Sequence, residues 1–164
     1  MQAARLNKSI KLEIVTPEKL IFQDQVSSVI APGIEGVLGI YPNHCPLLTI
    51  LQAGELKINR GDEEFYIAIG GGFMEVRKEK IIILADVAER DEEISEQKAL
   101  EAKKRAEKIL SDKNVPDIDK AEIAESLRLE MIRLNIVEKR NKRKKMKIIT
   151  NTLYDDSYNN IEKD

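Results

Sequence analysis

The stretch GIEGVLGIYPNHCPLLTIL, residues 33–51, indicates the fold of this chain most clearly. It places three glycines, two prolines, the only histidine and the only cysteine between apolar runs. Glycine reaches backbone angles closed to other residues, and proline fixes one dihedral and removes a hydrogen-bond donor. We therefore predict a shaped loop that re-enters a sheet at residues 46–51 and forms a contact surface.

On both sides of this stretch, from residue 8 to about residue 88, the pattern is that of short strands. Leu56 and Ile58 alternate with polar residues, and after a turn at 60–62 the alternation resumes at Phe65. Alternation at period two around a short turn indicates a β-hairpin. Many short strands without intervening helices predict an antiparallel sandwich or flattened barrel over residues 1–88, ordered from about residue 8.

Helical periodicity replaces the strand pattern after this region. Small residues recur at intervals of three and four in a first stripe, and larger residues do so in a second stripe. The first stripe contains Ala99, Ala102, Ala106 and Ile109, and the second contains Ala124, Leu127, Met131 and Leu134. We predict a two-helix hairpin over residues 89–147, which gives an α+β fold that is mainly β.

The ends of the two helices have local signals. Acidic residues 91–93 suit the positive end of a first helix, and Pro116 stops it because proline cannot continue a helix. Asp119 with Glu122 resembles a capping box that opens the second helix. Residues 148–164 are rich in Asn and Asp, so we predict a polar, disordered tail there.

Charge is balanced overall but not locally. The formal net charge is −2, so no global field selects nucleic acid or a membrane surface. No apolar run approaches the length of a membrane span, and no signal-peptide segment precedes the strands. In the basic segment, residues 139–147, seven of nine residues are Lys or Arg. Either a solvated helix end or a contact with an acidic protein surface explains this segment. A contact with nucleic acid or lipid head groups is the next interpretation in order.

No group of residues predicts catalysis. His44 and Cys45 are adjacent, and neighbouring side chains on an extended strand point to opposite faces. The glycine triplet, residues 70–72, has no following Lys-Ser/Thr, so it fits a bulge or close strand crossing better than a phosphate loop. A single imidazole and scattered carboxylates do not predict a metal site. We therefore expect a protein that is not an enzyme by itself and requires no cofactor.

Four motifs extend this interpretation. The chain resembles the family of F-type ATP synthase epsilon subunits in motifs that lie in the family's order over roughly residues 8–145. The motifs are KLEIVTP at residues 11–17, EGVLGIYPNHCPLLT at 35–49, GGFMEV at 71–76 and LADVA at 84–88, and the resemblance continues through 99–110.

The resemblance implies a ten-stranded sandwich, a two-helix C-terminal domain and a non-catalytic place in the rotary central stalk. It implies a bacterial ATP synthase at the cytoplasmic face of the plasma membrane, with the gamma subunit and the c ring as partners and only indirect contact with the membrane. Ion flow through the ring would thereby be coupled to ATP synthesis through gamma. The expected interface residues are Glu35, Gly36, Val37, Leu38, Tyr41 and His44.

The same resemblance implies that the helices inhibit ATP hydrolysis when they extend toward the alpha/beta hexamer. By position and charge, the expected contacts with an acidic segment of the beta subunit are Lys139, Arg140, Lys142 and Arg143. The alternative is a free-standing adaptor that binds nucleic acid or an anionic membrane through residues 139–147. That alternative lacks interleaved aromatic residues for base stacking.

Regulatory binding of ATP is a further expectation of the resemblance, with Ile94, Lys98, Ala99 and Arg105 as candidate residues. Some family members carry an Ile/Leu-Asp-x-x-Arg-Ala motif at the first helix, whereas this chain has ISEQKA at 94–99. Lysine in place of arginine lacks the planar fork that suits phosphate. Val37 is a second departure, because many members have an acidic or polar residue there.

Overall fold

The computed structural model describes residues 9–112 and 116–159, and the side chains of these residues apart from 118 and 147–159. Ten strands form the N-terminal part and two helices follow. The strands are β1 Ile10–Val15, β2 Leu20–Val26, β3 Ser28–Gly33, β4 Gly36–Ile40, β5 Leu47–Leu51, β6 Gly54–Arg60, β7 Glu63–Ile69, β8 Gly72–Val76, β9 Lys80–Ala85 and β10 Ala88–Arg90. The sheet therefore extends two residues beyond the expected boundary at residue 88.

The strands make one folded sheet in the order β10-β7-β6-β3-β5-β8-β9-β1-β2, with β4 paired to β3. The pairing is antiparallel except between β1 and β9, which run parallel. The two ends of the sheet meet, because the Arg90 guanidinium on β10 donates to the Ile21 carbonyl on β2. Nearby, Arg60 of β6 pairs with Asp24 of β2. The predicted sandwich is confirmed, and the pair of β1 with β9 departs from its antiparallel pattern.

The core of the sandwich follows the predicted alternation. Ile10, Leu12 and Ile14 of β1 are buried while their neighbours are partly exposed. The predicted hairpin is β6 and β7, in which Leu56 faces Ile67 across the pair. Gly61 turns it with a φ of 60°, a conformation that favours glycine. The interior is therefore built from period-two aliphatic residues.

The first helix, α1 Glu96–Ser111, begins at a cap that the sequence interpretation did not assign. The Ser95 side chain accepts a hydrogen bond from the Lys98 backbone N–H. The acidic residues 91–93 precede the helix instead of opening it, because Ser95 provides the non-helical capping position. Ala99 and Ala106 are buried, as the narrow alanine stripe predicts.

The second helix, α2 Asp117–Asn159, is longer than predicted. It begins directly after Pro116, two residues before the expected cap at Asp119, because proline is well tolerated just ahead of the first helical turn. The prediction of a disordered tail from residue 148 is wrong as far as Asn159, because no glycine or proline follows Pro116 to stop the helix. The rest of that tail, 160–164, lies outside the described residues.

Candidate functional site

The helical hairpin packs against the sandwich through a second apolar cluster. Ile136 and Val137 of α2 have 0% and 1% of their surface exposed. They contact Tyr66 and Ala68 of β7 and Ile94, which precedes α1, with Ile132 at the margin. No residue of this cluster belongs to the sandwich core. The docking interface is thus an apolar cluster separate from the sandwich core.

Cations of the basic segment surround this apolar cluster. Lys139 pairs with Glu55 at 2.8 Å, and Arg143 pairs with Asp91 at 3.0 Å. Arg140 donates to the backbone carbonyl of Asp91 and, at 3.4 Å, to that of Ile94. These contacts hold α2 against the N-terminal part of the chain, so three of the four predicted inhibitory cations are paired with groups outside their own helix.

Lys142 differs from its three neighbours. Its side chain is 71% exposed, and within the described residues its ion pair lies along its own helix, with Glu138 at 2.7 Å. The hydrogen bond from Lys142 lowers the pKa of Glu138, so the Glu138 carboxylate is ionised at neutral pH. Lys142 is therefore the predicted cation that contributes nothing to docking.

Tyr66 joins the charges at the docking interface. The Arg143 guanidinium lies 4.0 Å from the centre of its ring, and its hydroxyl donates to Glu64 at 2.9 Å. Burial, and then the Glu64 carboxylate, raises the pKa of Tyr66. The hydrogen bond from Lys57 lowers the pKa of Glu64, and the same bond raises the pKa of Lys57. At neutral pH the tyrosine keeps its proton and the Lys57–Glu64 pair keeps both charges.

The four candidate ATP residues line one cleft of about 360 Å³ between β10, α1 and α2. Arg133 also lines it, and pairs with Glu89 at 2.8 Å and with Glu130 at 2.5 Å. Glu130 is 9% exposed. The cleft contains four carboxylates against three cations; they are Glu89, Glu93, Glu101 and Glu130, and Lys98, Arg105 and Arg133. All four candidate residues line this cleft, whereas sequence reasoning missed its carboxylates, which come from four separate positions.

The predicted rotor-contact residues occupy two places. Glu35 lies in the two-residue turn between β3 and β4, and Gly36 and Val37 begin β4, with Val37 76% exposed. Leu38 packs against the sandwich core, so it supports the turn and offers little surface. Tyr41 and His44 lie beyond the other end of β4, which at about 3.3 Å per residue is roughly 16 Å away. One small partner segment therefore cannot contact all six residues.

His44 and Cys45 are closer together than the sequence argument predicted. The Cys45 Sγ lies 3.8 Å from the His44 Nδ1, which is also 2.7 Å from the Cys45 carbonyl oxygen. The opposite-face argument is wrong here because the two residues lie in a loop, after Asn43 with a φ of 69°. Within the described residues, no cluster of acidic, histidine or cysteine side chains is arranged to bind a metal.

Sequence reasoning missed an exposed apolar row that crosses five strands. Its members are direct cross-strand partners and therefore share one face of the sheet. The row consists of Ile50 on β5, Phe73 on β8, Leu84 on β9, Val15 on β1 and Leu20 on β2. Four are about half exposed, at 46%, 54%, 54% and 52% for Ile50, Phe73, Leu84 and Leu20. The row could have been predicted from the continuous apolar run at 81–84, because such a run gives a strand two apolar faces.

Comparison with known proteins agrees with this architecture. Residues 9–91 match the family model described as "ATP synthase, Delta/Epsilon chain, beta-sandwich domain". Residues 92–138 match "ATP synthase, Delta/Epsilon chain, long alpha-helix domain". This chain belongs to the ATP synthase delta/epsilon family. The family model ends at residue 138, so the whole basic segment and the last part of α2 lie beyond it.

Relatives within the family are ATP synthase epsilon chains. That of Dehalococcoides mccartyi is 53% identical over 133 residues, which cover 81% of this chain and 95% of the relative. That of Desulforamulus reducens is 47% identical over 118 residues, which cover 71% of this chain and 89% of the relative. As a member of this family, the chain is a subunit of a rotary ATP synthase.

Solved structures share the fold at lower identity. A chain of the Euglena gracilis mitochondrial ATP synthase, in a structure of OSCP, F1 and c-ring, has a TM-score of 0.68 and 21% identity. The match covers 77% of this chain and 80% of that one. A chain of the Tetrahymena thermophila central stalk and c-ring has a TM-score of 0.52 and 17% identity, with 76% and 96% covered. In the described part of our chain, no helix is long and apolar enough to cross a membrane.

Proposed function

We propose that this chain is a non-catalytic rotor subunit that couples ion flow through the c ring to ATP synthesis by way of gamma. The apolar row is the observation that carries the proposal. Five partners in register, at about 4.8 Å between strands, make a stripe roughly 19 Å wide. An apolar stripe of this kind on a soluble surface is typical of a protein–protein contact. We assign it to gamma, and we propose that the subunit lies peripherally at the cytoplasmic face of a bacterial plasma membrane.

The turn between β3 and β4 is the part that we assign to the c ring. It is narrow and exposed, and Gly36 adopts a φ of 134°, which residues with side chains rarely reach. Val37 and Ile34 give it an apolar tip, with exposures of 76% and 56%, beside the carboxylate of Glu35. Contact through such a tip depends less on ionic strength than a contact between charged groups does.

Regulation is assigned to the hairpin. In the docked arrangement, Lys139, Arg140 and Arg143 are bound to the sandwich. An extended hairpin would release them toward the acidic segment of the beta subunit and inhibit ATP hydrolysis. The two arrangements compete for the same cations, so neither nucleic acid nor an anionic membrane is needed to explain the basic segment.

The test of the rotor assignment is a charge placed in the apolar row. Phe73→Asp leaves folding intact because the side chain is half exposed, but it places an unpaired carboxylate in the contact. We expect at least tenfold weaker binding to purified gamma, measured by titration calorimetry. Met131→Asp, on an exposed residue of α2, adds the same charge away from the row and should bind as the wild type does. Equal binding of Phe73→Asp and wild type would refute the assignment.

We further propose that the hairpin docks without ATP, because Arg133 is already neutralised by Glu89 and Glu130. ATP would have to displace two carboxylates from the guanidinium and enter a cleft with an excess of negative charge. We expect about 1 mM ATP to raise the melting temperature of the wild type by less than 1 °C, whereas bound ligand at 100 times Kd adds about 2.7 kcal/mol. A shift of several degrees would show that the cleft binds nucleotide.

The matched variant is Glu89→Gln with Glu130→Gln, which keeps the size of both side chains and releases the charge of Arg133. If internal pairing is what excludes ATP, this variant should gain a melting-temperature shift with ATP that the wild type lacks. The same measurement with adenosine, which has no phosphate, separates phosphate recognition from base stacking.

A further inference from the structure

A groove of about 580 Å³ lies where the apolar row meets the docked hairpin. Ile50 and Phe73 of the row form one side, and Ala124, Glu125 and Arg128 of α2 form the other. The glycine triplet lies between them. The side formed by α2 is present only while the hairpin is docked.

The glycine triplet keeps the groove open. Gly72 has a φ of 137°, and a Cβ there would overlap the Leu84 carbonyl oxygen. Gly71 has a φ of 119°, again a region that favours glycine. A Cβ on Gly70 would lie 3.3 Å from Val87 and 3.9 Å from Leu129 of α2. The floor is therefore bare backbone that passes close to both strand and helix, which explains the motif without a phosphate-binding role.

The groove also contains unpaired negative charge. Asp86 and Glu125 line it and are exposed, and among the described residues neither forms an ion pair. Arg128, the cation on the same side, donates to the Gln52 side chain at 3.0 Å. By contrast, the carboxylates of Glu55, Asp91 and Glu130 at the docking interface are all paired with cations. An occupant with a basic side chain between apolar ones would complement this groove.

We infer that the groove receives an apolar segment of gamma that carries a lysine or arginine, so that the gamma contact is shared between sandwich and docked hairpin. The inference rests on the proposed function, because it extends the same apolar row to α2. A partner that contacts both halves binds the docked arrangement better than the undocked one. By linkage, gamma then favours docking by the same factor by which docking favours gamma.

The experiment measures binding of purified gamma to the full chain. We expect Asp86→Asn with Glu125→Gln to weaken binding about fivefold at low salt and less at about 0.5 M salt, because exposed charge pairs are weak and screened. Glu79→Gln, which removes an exposed carboxylate outside the groove, is the control and should bind normally. Wild-type affinity of the double variant would overturn the inference.

A second arm tests whether the hairpin takes part. Ile136→Asp opens the docking interface, so Glu125→Gln should weaken binding in the wild type but have no further effect in Ile136→Asp. An equal effect of Glu125→Gln in both backgrounds would overturn the shared contact. If Phe73→Asp weakens binding while all the groove variants bind normally, the groove inference fails and the rotor assignment stands. If the wild type does not bind gamma at all, both fail.

Discussion

Ile136→Asp is expected to release the helical hairpin from the sandwich while the sandwich stays folded. Ile136 is fully buried in the docking cluster, whose residues are separate from the sandwich core. Removing a buried isoleucine alone costs about 2–5 kcal/mol, and an unpaired carboxylate in its place costs more. A loss of 3 kcal/mol lowers the equilibrium ratio of docked to undocked chains by roughly 100-fold. Hydrogen exchange should show faster exchange in α2 and unchanged protection of β1.

The same variant tests inhibition in the assembled complex. If the extended hairpin inhibits, Ile136→Asp should lower ATP hydrolysis severalfold, because more of the hairpins are free to extend. The control, Met131→Asp, adds the same charge on a half-exposed side chain of the same helix and should change neither exchange nor hydrolysis. Undocking without any change in hydrolysis would contradict the inhibitory role.

The sandwich could be predicted from sequence because its signals are local. The turn at Gly61 and the alternation on either side of it lie within a few residues of each other, and the predicted β6–β7 hairpin is observed. The parallel pairing of β1 with β9 is different. It joins Leu12 to Ile81 across most of the domain, and neither strand contains a feature that specifies its partner.

The ion pairs of the basic segment also join residues that are far apart in the sequence. The basic segment was visible in the sequence, and its contact with an acidic protein surface was one of the interpretations weighed. The carboxylates that it meets, Glu55 and Asp91, are separated from it by 84 and 52 residues and lie on different parts of the sandwich. Nothing near either one marks it as a partner of a helix. Sequence thus predicted the cations of the site, and the fold supplied their partners.

Lys142→Ala and Arg143→Ala are expected to have different effects on ATP hydrolysis although both remove one positive charge from adjacent positions. Among the described residues, Lys142 forms its ion pair within its own helix, with Glu138, so its loss is expected to affect the extended state and to relieve inhibition. Arg143 stacks on Tyr66 and pairs with Asp91, contacts worth together about 1–2 kcal/mol. Its loss weakens docking as well as the inhibitory contact, so the two effects oppose each other.

Hydrogen exchange on the isolated chain and hydrolysis by the complex separate these effects. Exchange in α2 should rise up to about tenfold for Arg143→Ala and stay at the wild-type level for Lys142→Ala. Hydrolysis should rise clearly for Lys142→Ala, more at low salt than at high salt because the contact is electrostatic, and change less for Arg143→Ala. Glu138→Gln leaves Lys142 charged and removes only its intrahelical partner, so it should not relieve inhibition. Equal relief by both alanine variants would mean that Arg143 does not hold the docked state, and the competition between the two arrangements for the same cations would then be refuted.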